Sequence, residues 1–60
     1  MPNVEFYGEI RRETDNAVLV FDGINEVWLP KSQIIEMNHV KGQDFEFIIQ
    51  EWLAIEKEIV

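Results

Sequence analysis

Two stretches decide the fold: Val4-Glu5-Phe6-Tyr7-Gly8-Glu9-Ile10-Arg11, and Ala17-Val18-Leu19-Val20-Phe21-Asp22-Gly23-Ile24-Asn25-Glu26-Val27-Trp28-Leu29-Pro30. In the first, Val4, Phe6, Gly8 and Ile10 alternate with Glu5, Tyr7, Glu9 and Arg11. A period of two with one apolar face is the pattern of a half-buried strand. Glu13-Thr14-Asp15-Asn16 supplies turn chemistry, because short polar side chains bond their own backbone and favour reversals. The second stretch opens on a β-branched apolar run, Ala17 to Phe21, which predicts a strand buried on both faces. Asp22-Gly23 begins a reversal longer than the two-residue type, and Glu26 to Leu29 returns as the second arm of a hairpin.

The pattern continues on the far side of Pro30, which cannot donate to a ladder and ends its strand. Lys31-Ser32-Gln33 predicts a single turn, with Ser32 placed to cap the backbone. Ile34-Ile35-Glu36-Met37 is extended again, and Lys41-Gly42-Gln43 is the next turn. Phe45, Phe47 and Ile49 then alternate with Asp44 and Glu46. At the end the period changes. Trp52, Ile55 and Ile59 follow helical spacing beside Leu53 and Val60, with Glu51, Glu56, Lys57 and Glu58 around them. The expected fold is therefore mainly β, one domain over 1–60. Five short antiparallel strands pair sequentially into a small SH3-like or OB-like barrel, or a meander. A short C-terminal helix of about two and a half turns covers one end, with Trp52 as its plug. Such a helix is marginal alone and must dock, on its own sheet or on a second copy, so monomer and homodimer are both compatible.

Composition narrows function mostly by exclusion. Hydrophobic residues make up 47% of the 60-residue chain, enough for a packed core and too many for disorder. Cysteine is absent and histidine occurs once, at His39, so zinc lacks a ligand set and no cofactor is expected. Asp22 to Glu26 lacks the alternating ligands of a calcium loop, and three glycines make no phosphate-binding loop. Ser32 and His39 are the elements of a hydrolytic triad, but no nucleophile elbow surrounds Ser32, and an enzyme is not expected. Met1-Pro2-Asn3 shows no basic patch leading into an apolar run, and no stretch approaches the roughly 18 residues of a membrane span. An intracellular, cytoplasmic address is the expectation.

Charge is the most informative bulk property. Twelve acids against five bases give a formal charge of −7. A phosphate backbone or an anionic membrane would be repelled, and a basic protein surface attracted. Each carboxylate taken singly is a solvated surface group. Taken together, Glu5, Glu9, Glu36, Asp44 and Glu46 offer spaced negative charge that can imitate phosphates, with Tyr7 and Trp28 as apolar anchors and Lys31 beside them. These eight are the candidate partner-binding residues, although Trp28 is also a candidate for the core. A contrary grouping is Tyr7, Trp28, Arg11, Arg12 and Lys31, since aromatics among bases form stacking platforms for single-stranded nucleic acid. That grouping describes a small accessory barrel assisting a replication or recombination enzyme.

Glu26-Val27-Trp28-Leu29-Pro30-Lys31-Ser32-Gln33-Ile34 and Ile49-Gln50-Glu51-Trp52-Leu53-Ala54 resemble a group of very short proteins from bacteria, phages and other mobile elements. Gln50 stands where that pattern has proline, and no glycine ends the helix. The resemblance implies a mobile-element setting in a bacterial host. Small acidic proteins of that setting are similar to host-defence inhibitors, anti-CRISPR proteins among them, which bind a nuclease complex. The implied partner is a host protein with a basic surface.

Overall fold

A computed structural model describes residues 2–59, with Met1 and Val60 outside the described residues. The elements are β1 (Asn3–Glu13), β2 (Ala17–Phe21), β3 (Glu26–Pro30), a 3₁₀ turn (Lys31–Gln33), β4 (Ile34–Lys41), β5 (Asp44–Gln50) and α1 (Glu51–Glu56). They form one antiparallel sheet of five strands in the order β3-β2-β1-β5-β4, with α1 packed against β5 and β1. The mainly β class with a short terminal helix is as the sequence reads. Pairing is not sequential throughout. β1 takes β5 as its second neighbour, while β3 and β4 are the two edges and do not pair. The sheet is thus an open meander rather than a closed barrel.

Length explains the central place of β1. Its eleven residues make it the longest strand, enough to pair with two partners in succession. Asn3 to Glu9 faces Gln50 to Asp44, and Glu9 to Glu13 faces Phe21 to Val18. Between Ile10 and Arg12 the register slips by one residue, so Arg11 is the extra residue of a bulge. The strand bends there from one partner to the other. Gly8 permits the change, because a β-carbon at that position would run into Cγ1 of Val20.

The turns form from the residues that favour them. Thr14 N–H donates to the Ala17 carbonyl at 2.8 Å, and the Thr14 hydroxyl accepts from Ala17 N–H at 3.1 Å. Asp22 Oδ1 accepts from Ile24 and Asn25 N–H at 2.9 and 2.8 Å, a closed Asx loop, while Gly23 takes φ 103°. Gly42, with φ 57°, makes the two-residue reversal from β4 to β5. Pro30 lies at the end of an edge strand, where its missing N–H costs nothing. The 3₁₀ turn follows without a side-chain cap, so Ser32 does not cap it.

The core consists of Val18, Val20, Leu29, Phe47, Ile49, Leu53 and Ala54, with Val4, Phe6, Ile10, Val27, Ile34, Phe45 and Ile59 packed against it. Phe6 stacks on Phe47 with ring centroids 5.2 Å apart. Three sequence expectations are corrected here, for β2, Trp52 and the helix, and the open placing of Trp28 is decided. β2 is fully buried on one face only; Ala17, Leu19 and Phe21 are half-covered, because one layer of sheet has nothing packed on its outer side. Trp28 is an outer residue, 42% exposed, since Val27 and Leu29 take the inward positions. Trp52 is no plug. It is 47% exposed, and its neighbours Leu53 and Ala54 seal the core instead. The helix is also shorter than expected, six residues, and ends in a six-residue reversal in which Glu58 N–H bonds the Ile55 carbonyl and Ile59 N–H the Ala54 carbonyl. Glu58 occupies its left-handed position at φ 59°. Val60, counted with the apolar helix residues in the sequence, lies outside the described residues.

Candidate protein-binding face

In antiparallel pairs, residues directly opposite share a face. Glu5 faces Ile48, and Ile48 faces Glu36; Tyr7 faces Glu46, and Glu46 faces Asn38; Glu9 faces Asp44, and Asp44 faces Lys41. These three cross-strand rows lie on the outer side of β1, β5 and β4, opposite the core face of Phe6, Gly8, Phe45 and Phe47. Six of the eight candidate residues therefore come together: Glu5, Tyr7, Glu9, Glu36, Asp44 and Glu46. Same-face neighbours along a strand are about 7 Å apart and neighbouring strands about 5 Å, so the carboxylates form a two-dimensional array.

Most of that charge is not neutralised within the chain. Among the described residues the ion pairs are Arg11 Nε to Glu9 Oε1 at 2.6 Å and Lys31 Nζ to Glu13 Oε2 at 2.6 Å. Neither pair touches Glu5, Glu36, Asp44 or Glu46. Glu46 is the centre of a small network, accepting from the Tyr7 hydroxyl and from Asn38 Nδ2, each at 3.4 Å. The negative charge of Glu46, then that of Glu5, raises the Tyr7 phenol above its ordinary 10.0; slight desolvation and the hydrogen bond to Glu46 act in the same direction.

The other two candidates are placed elsewhere. Lys31 is in the 3₁₀ turn, tied to Glu13, and Trp28 is on β3 at the far edge of the sheet. Trp28 faces Leu19 and Leu19 faces Arg12, so the outer side of β1, β2 and β3 carries an aromatic and a base in one row. Sequence reasoning missed Phe21, whose ring lies under the Arg11 guanidinium at 4.7 Å to the centroid. The signal was present as an alternating position of the Ala17–Phe21 run, but reading that strand as buried on both faces hid it.

A hollow of about 400 Å³ opens where the acidic rows meet the β2–β3 loop, lined by Tyr7, Glu9, Arg11, Phe21, Asp22 and Asp44 among others. A smaller apolar one, about 200 Å³, lies by Pro2, Trp52 and Ile55, where the Trp52 indole N–H donates to Gln50 Oε1. His39 is exposed beside the Gly42 turn, with Nε2 2.9 Å from the Gly42 carbonyl oxygen and its ring edge-on to Phe45. Among the described residues no three metal-ligating side chains converge, and no helix is long and apolar enough to cross a membrane. Compared with protein-family models, curated proteins and solved structures, the chain matches none.

Proposed function

We propose that this chain is a non-enzymatic protein-binding domain that docks its acidic outer face onto the basic surface of a nucleic-acid-handling protein in a bacterial host. Its motifs resemble short proteins of a mobile-element setting, and small acidic proteins of that setting are similar to host-defence inhibitors that bind a nuclease complex. The observation that carries the reading is the register: it gathers Glu5, Glu9, Glu36, Asp44 and Glu46 around Tyr7, and among the described residues Glu9 alone of these is ion-paired. Unpaired carboxylates at strand spacing present a field that attracts arginines and lysines and steers their approach. Tyr7, 60% exposed at the centre, supplies apolar contact area.

Immobilised protein tests this in bacterial lysate. Basic proteins should be captured at low salt and released by excess duplex DNA, which competes for the same groove. Glu5→Gln, Glu36→Gln and Glu46→Gln together should abolish capture. A captured set indifferent to both DNA and the triple substitution would defeat the reading.

A second reading has its own observation, the Trp28–Leu19–Arg12 row with Arg11 nearby. It supports a platform on which single-stranded nucleic acid stacks. A gel shift with single-stranded DNA that weakens as salt rises would favour it over the first.

A further inference from the structure

The hollow beside the acidic rows differs from the rest of the face in being walled by aromatic residues as well as carboxylates. Tyr7 and Phe21 contribute from β1 and β2, Asp22 from the β2–β3 loop, and Asp44 from the start of β5. One guanidinium is already held at its margin. Arg11 lies 4.7 Å from the Phe21 ring centroid and bonds Glu9 at 2.6 Å. The chain's own side chain thus shows how an aromatic face and a carboxylate hold this group here. Arg11 satisfies Glu9, and Asp22 commits one oxygen to two loop amides. Asp44 has no ion-pair partner among the described residues. Three carboxylates against one guanidinium leave the hollow negative.

We infer that this hollow is the anchor point for an arginine side chain of the basic partner, seated against Tyr7 with its guanidinium on Asp44. The inference rests on the docking reading above and narrows it to one pocket and one side chain. Arginine fits better than lysine because a planar guanidinium stacks on a ring while its edge bonds a carboxylate. Its own apolar stem would lie against Val40, an exposed residue of the same wall.

The test is an amide-resolved NMR titration with acetyl-Gly-Arg-Gly-amide, using the citrulline peptide as the uncharged isostere. The arginine peptide should shift Tyr7, Gly23, Val40 and Asp44 together and saturably, and the citrulline peptide should not. Asp44→Asn should weaken binding about tenfold, as expected for loss of one charge-assisted contact. Tyr7→Ala should weaken it as well, and serves alone if Asp44→Asn disturbs the spectrum. Arg11→Ala, which vacates Glu9 and the Phe21 ring, should tighten it. Shifts scattered over the surface without saturation, equal binding of citrulline, or indifference to both weakening substitutions would overturn the inference. If partner capture still fails only in the Glu5, Glu36 and Glu46 variant while this hollow stays silent, the pocket is wrong and the docking face stands.

Discussion

Tyr7 and Glu46 sit directly opposite each other on β1 and β5, and the phenol donates to the carboxylate at 3.4 Å. The pair couples the aromatic centre of the face to its charge. The phenol should therefore titrate above 10.0, with Glu46 the larger cause and Glu5 the second. Because the folded chain holds a proton that the unfolded chain releases, stability should fall as pH rises from about 10 through the folded value. Ultraviolet titration of this single tyrosine measures it. Glu46→Gln should move the midpoint back toward 10.0, and a parent midpoint at or below 10.0 would contradict the arrangement.

Gly8 of β1 lies against Val20 of β2 with no room for a side chain. An added methyl at residue 8 meets Val20 Cγ1 and approaches the Phe21 carbonyl oxygen at 3.1 Å. Gly8→Ala should destabilise the domain by about 1–3 kcal/mol, the usual cost of overpacking, despite alanine's better fit to an ordinary strand. Chemical denaturation gives the number. An unchanged midpoint would mean that β1 and β2 are further apart.

Trp52 and Leu53 are adjacent and should behave oppositely. Leu53, 2% exposed, fills the core; Leu53→Ala should cost about 2–5 kcal/mol and leave little folded protein. Trp52→Ala removes a larger side chain from a half-exposed site and should cost clearly less than Leu53→Ala. Thermal melts of the two variants compare them directly, and the reverse ranking would restore Trp52 as the plug.

Glu58 carries the positive φ that closes the helix end, a conformation which favours glycine. Glu58→Gly keeps the reversal and removes the steric cost, about 1 kcal/mol. The melting temperature should rise by several degrees. A fall would show that the Glu58 side chain contributes something glycine cannot replace.

The candidate face is partly legible in the sequence alone. Alternation put Glu5, Tyr7 and Glu9 on one side of a strand, and did the same for Asp44 and Glu46. That these two sets adjoin depends on β1 choosing β5, with Glu9 opposite Asp44. Glu36 joins them because the register of β4 on β5 slips between His39 and Lys41, which sets Glu36 opposite Ile48. Residue type groups Trp28 and Lys31 with them, and the fold places the first on β3 and the second in the 3₁₀ turn.

Local chemistry by itself determined where strands run and where the chain turns. Side-chain alternation, the Asp22 amide loop and the glycines at 23 and 42 act over a few bonds, and any fold of this chain must respect them. Which face of each element is covered was decided in three dimensions. Trp28 and Trp52 are apolar enough to compete with Leu29 and Leu53 for one small core, and the fold gives the inward positions to the leucines. Strand order was decided there too. Pairing joins residues far apart in sequence, so Gly8 against Val20 and Phe6 on Phe47 select β1 as the centre and leave β3 and β4 as edges.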